Sequence, residues 1–250
     1  MVFLHGFMGS GRDWESVINL LDKQLSAITI DLPGHGATGA MAEDSDYTLA
    51  ATAQNIIALL DELQIDKCPL VGYSLGGRLA LLLALNYPDR FSHLALESAS
   101  PGIKDAEERS ERRAADELLA AGLDQDGDME TFLLRWYYQP MFYGLAVHPE
   151  FQRLLQSRMG NNPLLLAKSL RYMGQGAMEP LWNDLGKIAM PTLLITGEND
   201  KKYREIFKEM QKANPAFRSE ALKECSHNAH FMNPKKFAKA LGAFLTAEGN

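Results

Sequence analysis

The chain has 250 residues, 46% of them hydrophobic and 23% charged, and its formal net charge is −7. That is enough for one full core and excludes a disordered tract, and no Lys/Arg-rich run offers a face for nucleic acid or an anionic membrane. Two cysteines, Cys68 and Cys225, are too few for a disulfide framework and fit a reducing, cytoplasmic setting; nothing reads as a signal peptide, and no apolar run is long enough for membrane insertion.

Short apolar runs alternate with helical patterns through the first hundred residues. Val2-Phe3-Leu4 reads as a strand, and Trp14, Val17, Ile18 and Leu21 then fall at helical spacing. Ala27–Ile30 is a second strand, closed by the loop Asp31-Leu32-Pro33-Gly34-His35-Gly36. Ile56, Ile57, Leu60 and Leu63 mark a helix, Pro69–Gly72 a strand, Leu79–Leu85 a helix and Leu94–Leu96 a strand. Such alternation predicts an α/β fold with a mostly parallel central sheet flanked by crossover helices. From Ile103 to about Asn183 the chain is rich in Glu, Arg, Leu and Ala without a β-like run, which predicts helices inserted as a lid over 103–183. The core is then 1–102 together with 184–250. Its second part carries a strand at Pro191–Thr196, a helix near Tyr203–Lys212, a short strand at Ser219–Leu222 and a last helix from about Lys235 to Leu245.

Gly72-Tyr73-Ser74-Leu75-Gly76 matches G-x-S-x-G between a strand and a helix, the setting of a nucleophile elbow. Glycines flank the serine because a sharp strand-to-helix turn leaves no room for side chains, and Ser74 Oγ then projects above the sheet. A hydroxyl needs a base, and the partners follow in the order acid, then histidine. Asp200, on the loop after a strand, is the expected acid, with Glu198 as the competing choice. His227 is the expected base, with His230 competing. The backbone N–H groups of Phe7 and Leu75 are the expected oxyanion donors. Arg78 lies one helical turn beyond Ser74 among Leu79, Leu81 and Leu82, so it needs an anion, which is either a substrate carboxylate or a core carboxylate.

Together, Leu4-His5-Gly6-Phe7, the Asp31–Gly36 loop, the elbow, Gly197–Asp200 and His227 resemble the α/β-hydrolase superfamily along nearly the whole chain. A narrower set resembles the family of 2-succinyl-6-hydroxy-2,4-cyclohexadiene-1-carboxylate (SHCHC) synthases. It comprises Gly72–Arg78, Glu97–Gly102, Ala106–Arg113, Trp136-Tyr137-Tyr138-Gln139-Pro140 and His227–His230. The resemblance implies a carbon–oxygen lyase of menaquinone or phylloquinone biosynthesis, using no metal or cofactor. Such an enzyme removes a proton from a polyanionic cyclohexene and expels pyruvate, with the serine as proton acceptor. It further implies that Arg78, Arg112 and Arg158 bind the small polyanionic substrate and that Tyr73 and Trp136 line its pocket, although core packing explains Trp136 as well. Arg109 and Arg113 are expected in solvent. The state of assembly is expected to be a monomer or small homo-oligomer. Against the superfamily pattern, the chain starts at what corresponds to the third strand, so N-terminal strands are expected to be missing, and Ser226 precedes His227 where relatives carry Gly. A serine hydrolase on the same triad is the main rival reading, and a ligand receptor on this fold a second.

Overall fold

The computed structural model describes residues 1–126 and 128–247. Strands and helices alternate as β1 (Val2–Leu4), α1 (Glu15–Ile18), β2 (Ile28–Ile30), α2 (Leu49–Glu62), β3 (Cys68–Tyr73), α3 (Leu75–Asn86) and β4 (Phe91–Glu97). Next come α4 (Ala106–Asp126), α5 (Met129–Tyr137), α6 (Phe151–Met159) and α7 (Pro163–Met173), with no strand between them among the described residues. Then β5 (Thr192–Gly197), α8 (Lys201–Ala213), β6 (Arg218–Leu222), α9 (Ala229–Met232) and α10 (Pro234–Thr246) complete the chain.

The six strands form one sheet in the order β2-β1-β3-β4-β5-β6, and every pair is parallel. Period-two alternation sorts the side chains of each strand between its two faces. Val2, Leu4, Leu70, Leu94, Leu96 and Leu194 pack on one face with Leu60 of α2, Leu79 of α3 and Phe207 of α8. Phe3, Val71, Ala95, Leu193 and Ile195 pack on the other with Val17 of α1 and Phe237, Leu241 and Phe244 of α10. Both faces are covered, as a parallel sheet requires. Between β4 and β5, the helices α4–α7 bury an apolar cluster of their own, including Leu123, Leu133, Phe142, Leu154 and Leu166, and Met8 of the core joins it.

The chain leaves β1 toward β2 on one side and returns to β3 on the other. Loops at the carboxyl ends of β1 and β3 therefore diverge above the sheet, and an open α/β sheet binds its ligands at such a switch point. Gly76 is pinned beside β1, with its N–H donating to His5 O at 3.0 Å. A Cβ on Gly76 would sit on the carbonyl oxygens of Leu4 and His5. Both cysteines are unpaired and buried, and burial pushes the Cys225 thiol up to about 11. Among the described residues no helix is long and apolar enough to cross a membrane.

Two substitutions test this packing. Gly76→Ala meets backbone rather than a movable side chain, so it is expected to cost at least about 1–3 kcal/mol, a drop of roughly 5 °C or more in Tm. Gly122→Ala, inside α4 with nothing near the added methyl, is expected to stabilise by about 0.5–1 kcal/mol. Thermal melting of the two variants reads both.

Candidate active site

Ser74 stands at the turn from β3 into α3 with φ 49° and ψ −105°. Non-glycine residues rarely hold such a conformation, and the cost is of order 1–3 kcal/mol. It persists because the surroundings fix it: Ser74 N–H donates to Glu97 O at 2.9 Å, and Arg78 N–H donates to Ser74 O at 3.0 Å. A Cβ at Gly72 would collide with the backbone of Gly76 and Gly77. The glycines of the motif are thus required by space.

The structure brings Ser74, His227 and Asp200 together. His227 Nε2 lies 3.1 Å from Ser74 Oγ, and its Nδ1 lies 2.8 Å from Asp200 Oδ2. Nδ1–H donates to the carboxylate, which leaves Nε2 as the acceptor facing the serine hydroxyl. His227 is 1% and Asp200 2% exposed, so the pair is sealed from solvent. The competing residues are engaged elsewhere. Glu198 Oε2 accepts the Glu224 N–H. His230 is buried, with Nδ1 2.6 Å from Glu97 Oε2 and its ring stacked on Trp14 at 4.3 Å.

Sequence reasoning passed over Ser98, whose hydroxyl donates to Asp200 Oδ2 at 2.8 Å, the oxygen that also meets His227. Ser98 is a second strained serine, at φ 45° on the residue after β4. Its only sequence signal is its place at a strand's carboxyl end.

The loop after β1 turns sharply, with Gly9 N–H on Gly6 O at 3.0 Å and Met8 at φ 63°. His5 Nε2 accepts the Leu32 N–H, so its Nδ1–H donates to Gly6 O, tying this loop to the end of β2. Among the described residues no protein acceptor takes the N–H of Phe7 or of Leu75. Two free donors at this position suit a developing oxyanion. A cavity of about 30 Å³ adjoins the triad, walled by Phe7, Tyr73, Trp136, Phe142 and Arg158. Tyr73 lies 5.4 Å from the His227 ring, centroid to centroid. Trp136 both faces the cavity and packs on Phe7 and Phe132, at 5.1 and 6.0 Å.

The arginines divide. Arg78 is partly buried, and its Nη1 donates to Met173 O at 2.8 Å; among the described residues no carboxylate lies within ion-pair distance. Burial, and after it the nearby Arg112 charge, lowers its pKa to about 10, which leaves it cationic at neutral pH. The core-carboxylate alternative for Arg78 is therefore not what the structure holds. Arg112 has protein partners, with Nε on Asp116 Oδ1 at 2.8 Å and Nη1 on Gln175 Oε1 at 2.9 Å. Arg158 lines the cavity beside the triad, and there it holds a protein carboxylate. It is 4% exposed, and its fork is bidentate on Asp13 at 2.8 and 2.7 Å, with Nε on the Tyr137 hydroxyl. Burial opposes the Asp13 charge, but Arg158 outweighs it and holds that carboxyl below its ordinary range. Sequence spacing gave no sign of Asp13, which is 145 residues away. Arg109, expected in solvent, instead donates to Ile103 O at 3.1 Å, while Arg113 is exposed. Among the described residues no group of three or more His, Cys, Asp or Glu is arranged to hold a metal ion.

A family model for the alpha/beta hydrolase fold matches residues 1–234. A Bacillus subtilis (strain 168) protein, provisionally named a 2-succinyl-6-hydroxy-2,4-cyclohexadiene-1-carboxylate synthase, is 38% identical over 99% of this chain and 90% of its own length. The synthase of that name from Salmonella agona (strain SL483) is 34% identical over 98% of this chain and 93% of its own. Among solved structures, MenH from S. aureus superposes with a TM-score of 0.93 at 35% identity, covering 100% of this chain and 94% of that one.

Asp200→Asn should lower turnover by about two to four orders of magnitude, since the amide favours the wrong His227 tautomer, whereas Glu198→Gln should leave it within a few fold. Steady-state rates of the two variants decide between the acids. A pH effect follows from the buried histidines near the β1 loop. Burial drives the His35 pKa from 6.5 down to about 3, and it lowers that of His5 as well. The unfolded chain takes up protons near pH 6.5 that the folded chain refuses, so stability is full above that pH and falls as pH drops toward 3. Melts across this range should show the loss, with a shallower slope in His35→Leu.

Proposed function

The chain belongs to the α/β-hydrolase fold family and, within it, to the SHCHC synthases, and on that premise we propose that it eliminates pyruvate from 2-succinyl-5-enolpyruvyl-6-hydroxy-3-cyclohexene-1-carboxylate to give SHCHC, a step of menaquinone or phylloquinone biosynthesis. The carbon that must lose its proton lies beside the succinyl ketone. Ser74 Oγ takes that proton while its own passes to His227 Nε2, and Asp200 stabilises the imidazolium that forms. Charge develops on the ketone oxygen, where the free N–H groups of Phe7 and Leu75 serve as donors. The electron pair from the C2–H bond becomes C2=C3, the old C3=C4 bond shifts to C4=C5, and the C5–O bond breaks. The leaving enolpyruvate takes a proton and ketonises to pyruvate. No redox or metal step enters this scheme.

The observation that carries the reading is Arg78, a partly buried cation one turn from the serine whose side chain, among the described residues, bonds only a main-chain carbonyl. An unneutralised guanidinium in a helix otherwise lined by Leu79, Leu81 and Leu83 is costly unless an anion arrives, and a carboxylate fits its fork. A neutral ester has no use for it. Arg112 and Arg158 would join Arg78 by exchanging Asp116 and Asp13 for substrate carboxylates. A carbocycle of this size does not fit a cavity of about 30 Å³, so substrate enters when the α5–α6 segment over the triad moves outward.

The test is pyruvate release from the enolpyruvyl substrate by the purified protein. Arg78→Met should lower kcat/KM roughly ten- to a hundred-fold, the value of a hydrogen bond to a charged group. Arg78→Lys should recover only part, because it keeps the charge but not the fork. The Tm of Arg78→Met should stay close to the parent's, since the bond lost at Met173 O is offset by removing an unpaired cation. Hydrolysis of a neutral activated ester should scarcely change in either variant. If the wild type released no pyruvate but acylated on an ester with a burst, the protein would be a serine hydrolase instead.

A further inference from the structure

One polar side chain at the triad is left over by both the fold and the scheme above. Asn228 follows His227, is 2% exposed and lines the cavity that holds Ser74 and His227. Its Oδ1 is buried without a hydrogen-bond partner. The residue stands at the N-cap of α9, where an asparagine commonly caps, yet this side chain makes no capping bond. Among the described residues only its main chain is bonded, with Asn228 O accepting the Met232 N–H at 3.0 Å.

A buried carbonyl oxygen with no donor costs about 1–3 kcal/mol, and a leucine of similar size would avoid that cost. Among the described residues no side chain of the cavity wall donates to it. Phe7 and Phe142 present only rings, and the Arg158 fork is turned to Asp13 and Tyr137. A molecule bound in the cavity can supply the missing donor. An amide oxygen accepts from a hydroxyl or an amine, and it repels a carboxylate or a ketone.

We infer that Asn228 is a positioning and specificity residue whose Oδ1 accepts the hydrogen bond of a ring hydroxyl on the substrate. The inference rests on the proposed elimination, whose substrate carries a hydroxyl at C6 that takes no part in bond breaking. Holding that hydroxyl next to His227 fixes the rotation of the ring, so the carbon that loses its proton stays toward Ser74. The residue also makes the site select against rings that lack the hydroxyl. A pocket built to bond a hydroxyl discriminates strongly against the analogue without it, because the pocket's own polar atom is then stranded.

The experiment compares two substrates, the enolpyruvyl cyclohexene carboxylate and its 6-deoxy analogue, on wild type and Asn228→Leu, with kcat/KM for pyruvate release as the readout. The wild type should prefer the hydroxylated ring by roughly ten- to a hundred-fold, and the variant should lose a similar factor on that ring alone. On the deoxy ring the two proteins should agree within about three-fold, a coupling that a purely structural role does not produce. Asn228→Ala, which only removes atoms, should repeat the pattern should leucine crowd the cavity, and the melting temperatures of both variants report on folding. Equal losses on the two rings, or no preference in the wild type, overturn the assignment of Asn228 while leaving the elimination intact. No pyruvate from either ring in the wild type overturns the elimination, and the assignment with it.

Discussion

Two main-chain hydrogen bonds, Ser74 N–H to Glu97 O and Gly76 N–H to His5 O, hold the serine at positive φ between β4 on one side and β1 on the other. The elbow has room to exist because Gly72 and Gly76 bring no side chains into that gap. The bond to His5 sets the β1 loop beside the serine, where the N–H of Phe7 is left free. The end of β4 does more than pin Ser74. The Glu97 carboxylate takes the His230 main-chain N–H and ring, and the next residue, Ser98, bonds Asp200. Ser74, Asp200 and the segment carrying His227 are therefore all referred to two consecutive buried residues, the last of β4 and the one after it. Strain at Ser74 and Ser98 is stored where the surrounding ladder is densest, and the interior can bear it there.

The triad and the fold were legible because they rest on local chemistry. Gly72–Gly76 declares a turn and the apolar runs declare strands: Val2–Leu4 is unchanged, Ala27–Ile30 loses a residue, and Leu94–Leu96 is the middle of the longer strand Phe91–Glu97. Asp200 over Glu198 and His227 over His230 followed from loop position, and the hydrogen bonds agree. The contacts that sequence could not give join distant segments. Asp13 meets Arg158 across the α1–α6 gap, Ser98 meets Asp200 across two strands, and Glu97 meets His230. Spacing sees periodicity within one element and is blind to pairing between elements. The arginines show the limit. Three looked alike as helical cations near a cleft, yet among the described residues one bonds a main-chain carbonyl, one is a half-buried cation on the buried Asp116 and on Gln175, and one is locked in a buried fork.

That division has a physical order. A bidentate pair with Asp13 at 5% and 13% side-chain exposure is expensive to break from one side, since either partner alone is a buried charge. Arg112 is itself 34% exposed, but its partner Asp116 is 3% exposed and, among the described residues, would keep only the Gly176 N–H if that arginine left. Arg78 would give up a main-chain carbonyl and no charge. On the proposed reading, an incoming polyanion therefore meets one cation without a carboxylate and two that already hold one.

The His227 N–H donates to Met141 O at 3.1 Å, and the Phe142 ring lies 5.5 Å from the imidazole. Met141 and Phe142 sit between α5 and α6, in the segment that must move for a ring to enter. The base therefore takes one of its own supports from the part that covers it. On the proposed entry route, lifting that cover would break the main-chain bond that steadies the base, so access to Ser74 and the setting of His227 are tied to one hydrogen bond.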